Sequence, residues 1–317
     1  MACASGEGYY GWGPSNLVTD AQGNTYVAGS FNGTIALGST VLTATQTPPG
    51  NLLPSDNFVA KLDAAGNYLW AVQLGDNQSS SITALAVDAT GNVYVAGNFS
   101  SYNLTFGAGG PRLFNSSAEN EAFVAKLDGT TRQWLWARRA GGTGSDGINK
   151  LAMNAAGELY VAGASRSPMA DYGSFTLTAP TGPLAQVGTF LAKLTSSGTW
   201  LWARVVGEGE NLSISQVVPD SQGNIYLGGN FRAPAVRFGT TTLSTLRVAG
   251  TPLLYGSDVF FAKTNDAGTW AWAVQGDAVS HQNLLGGGIT YDGAGHFYVG
   301  AATKAPRPAS GLRCCPT

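Results

Sequence analysis

The sequence predicts an all-β protein, a β-propeller of four-stranded antiparallel blades. Three observations point there. One string returns about every 66 residues, a second string falls between its copies, and both are built as strand, tight turn and strand. No stretch of the chain keeps a helical period. Fixed-period self-similarity marks repeat architectures, in which each unit buries its faces against its neighbours.

The first string is Asp20-Ala-Gln-Gly23-Asn-Thr-Tyr26-Val-Ala-Gly29. It returns as Asp88-Ala-Thr-Gly91-Asn-Val-Tyr94-Val-Ala-Gly97 and as Asn154-Ala-Ala-Gly157-Glu-Leu-Tyr160-Val-Ala-Gly163. The fourth copy is Asp220-Ser-Gln-Gly223-Asn-Ile-Tyr226-Leu-Gly-Gly229, and the fifth runs from Asp292 through Tyr298 to Ala301. The tyrosines stand 68, 66, 66 and 72 residues apart. Flanking β-branched and aromatic residues read as strands. Asp hydrogen-bonds the turn backbone, and Gly takes the positive φ that a Cβ disfavours.

The second string is Phe58-Val-Ala-Lys61-Leu-Asp63 followed by Tyr68-Leu-Trp70. It recurs around Lys126 with Trp134 and Trp136, around Lys193 with Trp200 and Trp202, and around Lys263 with Trp270 and Trp272. Seven of the eight tryptophans belong to it; Trp12 does not. It too reads as a hairpin. About 25 residues separate the two hairpins and carry a weaker repeat: Leu37-Gly38, Phe106-Gly107, Tyr172-Gly173 and Phe238-Gly239. These are expected to form a short extra hairpin, or an irregular loop, on the rim.

Two hairpins give four antiparallel strands, and such a sheet covers neither face alone. Radial stacking covers both. A parallel β-helix needs shorter rungs and lacks tight hairpins, so it ranks below the propeller. The expected organisation is one propeller domain over residues 1–302, with units starting near 7, 81, 147, 213 and 285. Five first hairpins and four second hairpins make four and a half units. Residues 303–317 lack β character and hold Cys314 and Cys315. The expectation is a fragment with an aberrant tail; the rival is a five-bladed ring whose last blade is one hairpin.

These strings resemble the bacterial secreted β-propeller repeat family (SBBP), whose units read D-x-x-G-N-x-Y-V-x-G, then F-V-A-K-L, then L-W. The resemblance runs over residues 7–302 and implies an exported, multi-unit protein of no assigned chemistry. Asp63-x-x-Gly66-x-x-x-Trp70-x-x-x-x-Gly75 is also similar to the tryptophan-docking motif of quinoprotein propellers, one residue short. That implies blade locking and no quinone.

Composition narrows the function. The net charge is −2, with 17 Lys+Arg against 19 Asp+Glu, so no basic field exists to hold nucleic acid. No run of 18 apolar residues could span a membrane as a helix. Met1 to Gly6 show neither a charged n-region nor an apolar h-region. The full-length protein is nonetheless expected outside the cell or on its surface, because low charge with abundant Gly, Asn, Ser and Thr suits an exported β protein.

Trp134/Trp136, Trp200/Trp202 and Trp270/Trp272, at spacing two, are expected on one face of their strand, as a sugar platform or as inter-blade packing. Packing is preferred, since every unit has the pair. Lys61, Lys126, Lys193 and Lys263 could ring a channel and hold an anion; pairing with a carboxylate or carbonyl is preferred. Asp20, Asp88, Asp220 and Asp292 each bring one carboxylate to a turn, which suits capping rather than a metal. His281 and His296, with Asp292 nearby, offer a His/Asp acid–base pair; a substituted turn residue at His296, where three other units have Asn, is preferred. Gly142-Thr-Gly-Ser-Asp-Gly147 precedes a strand, not the helix a dinucleotide fingerprint needs. No catalytic, cofactor or metal residue is assigned. The expected role is a non-catalytic module for adhesion, scaffolding or protein interaction. The alternative is a carbohydrate-binding propeller using rim aromatics such as Tyr102, Tyr172 or Tyr255. An enzyme would need converging carboxylates, and Glu119, Glu121, Glu208 and Glu210 are the only close glutamates. Function is expected where repeat symmetry breaks, in the insertions near 43–57, 108–121, 165–188 and 244–258.

Overall fold

The computed structural model describes residues 12–44, 55–74, 80–179 except 116 and 118, 188–207, 212–244, 258–276, 289–291 and 297–299. The chain forms two compact units, Met1–Val206 and Gly207–Thr317. The first unit holds three blades and the second holds one blade and a further hairpin.

Blade 1 comprises β1 (Trp12–Thr19), β2 (Thr25–Asn32), β5 (Ser55–Leu62) and β6 (Tyr68–Leu74), paired antiparallel in that order, with β3 (Thr34–Leu37) and β4 (Thr40–Thr43) as an inserted hairpin. Blade 2 repeats this with β7 (Ser80–Val87), β8 (Val93–Phe99), β11 (Glu121–Leu127) and β12 (Trp134–Gly142), and with β9 (Asn103–Thr105) and β10 (Arg112–Phe114) inserted. Blade 3 has β13 (Asp146–Met153), β14 (Leu159–Ser165), β17 (Gly188–Leu194) and β18 (Trp200–Val205), with β15 (Met169–Tyr172) and β16 (Phe175–Thr178) inserted. Blade 4 has β19 (Leu212–Pro219), β20 (Ile225–Phe231), β23 (Asp258–Thr264) and β24 (Trp270–Gln275), with β21 (Val236–Phe238) and β22 (Thr241–Leu243) inserted. The last hairpin is β25 (Ile289–Tyr291) with β26 (Phe297–Val299). The weak repeat is therefore a hairpin in each blade. The fold is an all-β propeller architecture of four-stranded antiparallel blades. Asp292 and the 303–317 tail lie outside the described residues, as do both histidines, Tyr255, Glu208 and Glu210.

Within the first unit the blades stack face to face. One apolar cluster joins Tyr26, Val59 and Trp70 of blade 1 to Val93, Phe99, Phe123 and Trp134 of blade 2. A second joins Tyr94, Val124 and Trp136 of blade 2 to Leu159, Phe190 and Trp200 of blade 3. Strand β8 is accordingly buried on both faces, which is why it reads as a nearly unbroken apolar run.

Two β-bulges recur. On the first strand of each blade the register shifts at Ser15, Thr83, Asn149 and Ser215. The bulge aims a hydroxyl sideways: Ser15 Oγ donates to Ala28 O at 3.2 Å and to Ile82 O of blade 2 at 3.0 Å. Thr83 Oγ1 likewise donates to Ile148 O of blade 3. A hydroxyl displaced from the ladder thus links first strand to first strand. The bulge also explains Gly97: a Cβ there would overlap the Ser81 carbonyl oxygen.

The second bulge lies opposite the lysine strand, and it corrects a sequence expectation. Lys126 faces Trp136, and Leu127 faces Trp134, with Leu135 left over. Lys126 and Leu127 point to opposite faces, so the two tryptophans do too. Trp134 packs toward blade 1 and Trp136 toward blade 3. The tryptophans do not share a face, and the extra residue is the exposed one: Leu69, Leu135 and Leu201.

Candidate functional site

The tight-turn end of each blade is a closed polar module. In blade 2, Asp88 Oδ1 accepts the amides of Thr90 at 3.0 Å and Asn92 at 2.9 Å. Its Oδ2 accepts Asn92 Nδ2 at 2.9 Å and the Tyr94 hydroxyl at 3.1 Å. Gly91 closes the turn at φ 84°. Lys126 Nζ lies 3.9 Å from Asp88 and 4.9 Å from the Tyr94 ring centroid, and Trp136 meets that same ring at 6.2 Å. Blade 1 builds the same set from Asp20, Gly23, Tyr26, Lys61 and Trp70. Blade 4 uses Asp220, Gly223, Tyr226, Lys263 and Trp272.

Blade 3 holds the charge elsewhere. Asn154 occupies the aspartate position, and Glu158 occupies the asparagine position. Glu158 pairs with Lys193 at 2.7 Å, while Asn154 Oδ1 still caps the turn through the amides of Ala156 and Glu158. Gly157, Tyr160 and Trp202 keep their places. The anion moves four residues and the lysine stays neutralised. The lysines lie on the third strand of each blade.

Electrostatics follow from this geometry. Burial pushes the Asp20, Asp88 and Asp220 carboxyls up, but side-chain and backbone hydrogen bonds outweigh it and hold each below the usual carboxylate value. Burial, then the Asp88 charge, push the Tyr94 phenol well up. A cleft of about 560 Å³ opens between this turn and that of blade 3, lined by Asp88, Thr90, Lys126, Asn154 and Ser196. Trp136 Nε1 donates to Ser196 O at 3.2 Å, and Arg138 Nε to Gly198 O at 2.9 Å. Both tie blade 2 to the outer turn of blade 3.

The opposite end of the blades carries the insertions, and there symmetry breaks. In blade 2, β10 turns Leu113 into the core and leaves Arg112 and Phe114 exposed. Phe114 stands beside Tyr102, ring centroids 6.1 Å apart at 68°, and Tyr102 is 75% exposed. Asn115 N donates to Tyr102 O at 2.9 Å and fixes the corner. With Leu113, Asn115 and Arg139 these residues line a recess of about 520 Å³. Arg139 Nη1 holds Glu121, which is fully buried. Glu121 is therefore an internal counter-ion, not a member of a carboxylate pair with Glu119. Tyr172 is not an exposed aromatic: it is fully buried, packed on Phe190 at 4.9 Å and Trp200 at 5.4 Å.

Blade 3 breaks symmetry differently, at the start of the 165–188 insertion. Where blades 1, 2 and 4 place Phe31, Phe99 and Phe231, blade 3 has Ser165. Asp146 is buried there; its Oδ2 accepts Gly142 N and Ser167 Oγ, both at 2.7 Å. Asp146 Oδ1 and the Tyr172 hydroxyl are buried without hydrogen-bond partners. Burial, then the Asp146 charge, raise the Tyr172 phenol well above its usual value. The glycine-rich segment 142–147 is the end of β12 and the start of β13, so no helix N-terminus stands behind it. Among the described residues no three of His, Cys, Asp and Glu converge, and no helix is long and apolar enough to cross a membrane.

Residues 69–104, from the end of blade 1 through the first hairpin of blade 2, match the family model described as a β-propeller repeat, SBBP. This segment is an SBBP repeat. Strings similar to that of the matched segment recur in the other blades. Among curated proteins, regulatory protein FlaEY of Caulobacter vibrioides is 30% identical over 164 residues, covering 52% of this chain and 17% of that protein. The chain thus matches a small part of that relative's length. Among solved structures, the Pan2 WD40 domain of Neurospora crassa is similar at 12% identity, with 84% of this chain and 90% of that one covered and a TM-score of 0.22. The blades themselves and the SBBP match, rather than that likeness, carry the fold.

Proposed function

We propose that the protein is a non-catalytic recognition module of an exported bacterial protein, in which SBBP blades form the scaffold and insertion hairpins form the binding surface. One observation carries this reading. The repeated Asp, Tyr and Lys residues pair with one another inside the first-unit blades and the repeated Trp rings pack against the tyrosines, whereas Tyr102, Phe114 and Arg112 stand exposed on the blade 2 insertion. Exposed aromatics cost solvation, and an aromatic beside arginine is the composition that interfaces favour. A relative named as a regulatory protein fits action through binding.

The test is site-specific photo-crosslinking from position 102 in the producing cell's surface extract, with position 69 on another exposed bulge as control. A discrete adduct at 102, abolished by Phe114→Ala and absent at 69, is expected. Equal labelling at both positions would refute the surface. Polysaccharide hydrolysis by the purified chain, lost on Glu208→Gln or Glu210→Gln, would overturn the non-catalytic reading.

Carbohydrate recognition is the second reading. The edge-to-face Tyr102–Phe114 corner favours it, because aromatic faces stack on the C–H face of a sugar ring and edges close its side.

A further inference from the structure

The blade 2 recess specifies the chemistry of its ligand more narrowly. It combines two aromatic rings inclined at 68°, an exposed arginine and a second guanidinium in its wall. Arg139 is neutralised by Glu121 at 2.6 Å, so the net charge left at the recess comes from Arg112. Arg112 makes no ion pair among the described residues. Glu119, exposed on the neighbouring loop, does not line the recess. Arg112 and Phe114 alternate on β10 with buried Leu113 between them, so the cation and the ring point the same way by strand geometry. The backbone bond from Asn115 to Tyr102 and the buried side chain of Leu113 fix the platform before anything binds. A volume of about 520 Å³ falls among small-ligand sites, which span roughly 300–1,000 Å³.

We infer that this recess binds an acidic saccharide, a uronic-acid unit of a polysaccharide, with the sugar ring on the Tyr102–Phe114 corner and its carboxylate on Arg112. The inference rests on the recognition reading and names its ligand class. Two properties are needed together. An aromatic face takes the apolar side of a pyranose, and a planar guanidinium takes a carboxylate through two parallel hydrogen bonds. A neutral sugar leaves Arg112 without an anion. A purely apolar partner leaves the guanidinium to be desolvated against nothing. Lysine at 112 would keep the charge and lose the fork, so the two cations are not equivalent here.

The test is calorimetric titration of the full chain with trigalacturonic acid, with its methyl ester as the uncharged match and a glutamate-rich peptide as the charged non-sugar. Saturable binding of the acid is expected, with the ester weaker by about tenfold or more, as loss of a charge-assisted contact implies. Tyr102→Ala and Arg112→Gln should each weaken the acid by about tenfold or more, and Arg112→Lys should fall between. Both positions are exposed, so the three variants keep the fold, and far-UV circular dichroism checks this. Equal affinity for acid and ester would overturn the role of Arg112. Binding of the peptide but not the saccharide, lost in Tyr102→Ala, would overturn the saccharide and leave the recognition surface standing. Binding of none of the three, together with no adduct at position 102, would remove both readings.

Discussion

The exchanged turn in blade 3 gives the most direct test of what holds a blade together. Lys193 is nearly buried, its side chain 4% exposed, and its anion is Glu158 at 2.7 Å. In blade 1 the corresponding lysine is served from the other turn position, Asp20 to Lys61 at 3.9 Å. Glu158→Asn therefore leaves a buried ammonium facing Asn154 and the Tyr160 ring, 5.4 Å away. Removing one partner of a fully buried pair costs roughly 3–5 kcal/mol. The Glu158 side chain is 31% exposed, which lets solvent screen the pair and reduces the expectation to about 2 kcal/mol. Adding Asn154→Asp rebuilds the arrangement of blades 1 and 2 and should return more than half of that loss. The assay is urea unfolding at neutral pH followed by tryptophan fluorescence. A thermal scan should show the single variant melting about 4–8 °C lower. The coupling is read as the difference between the double variant and the summed singles. If the double variant is no more stable than Glu158→Asn alone, the idea that the anion can occupy either turn position is wrong.

Other consequences follow from the same geometry. Leu135→Lys at the exposed bulge should change stability by no more than about 0.5 kcal/mol, whereas Trp136→Ala should cost about 3–5 kcal/mol by opening the seam to blade 3; denaturant midpoints distinguish them. Gly97→Ala should cost about 3 kcal/mol, since the new methyl overlaps the Ser81 carbonyl, while Gly66→Ala, at φ 84° with open space around it, should cost about 1 kcal/mol. Asp20, Asp88 and Asp220 have folded values below their unfolded ones, so their contribution is complete above the ordinary carboxylate value near 4 and is lost as pH falls through the folded values. Acid titration should therefore show a midpoint loss below about pH 4 that is smaller in Asp88→Asn; an unchanged acid limb would refute the assignment.

The turn module was legible in sequence because its chemistry is local. Asp88, Gly91 and Asn92 lie within five residues, and a carboxylate capping its own turn needs no tertiary contact to form. The hairpins followed from alternation and turn residues, and the insertion hairpins from a weaker aromatic–glycine repeat. Of the rim aromatics named from sequence, Tyr102 is exposed and Tyr172 is buried. Both lie at inserted hairpins, but Tyr102 sits just before β9 whereas Tyr172 ends β15 against Phe190 and Trp200. Neighbouring strands decide that difference, and no local string encodes it. The Arg112–Phe114 pairing was present as alternation on a three-residue strand too short to stand out.

The sequence by itself determined the repeat period, the four-stranded blade and the Asp–Tyr–Lys–Trp set, because each repeats at a spacing that chance does not supply. Tertiary structure decided where the tryptophans go. Spacing two places rings on one face only while the pleat is unbroken; the extra residue at Leu135 breaks it and sends Trp134 and Trp136 to two different blade seams. It also decided that β15 pairs with β12 of the preceding blade, joining Gly141 to Asp171 and Gly142 to Ala170. A strand edge takes whatever partner packing brings alongside it, and backbone hydrogen bonds carry no side-chain signature that a sequence can display.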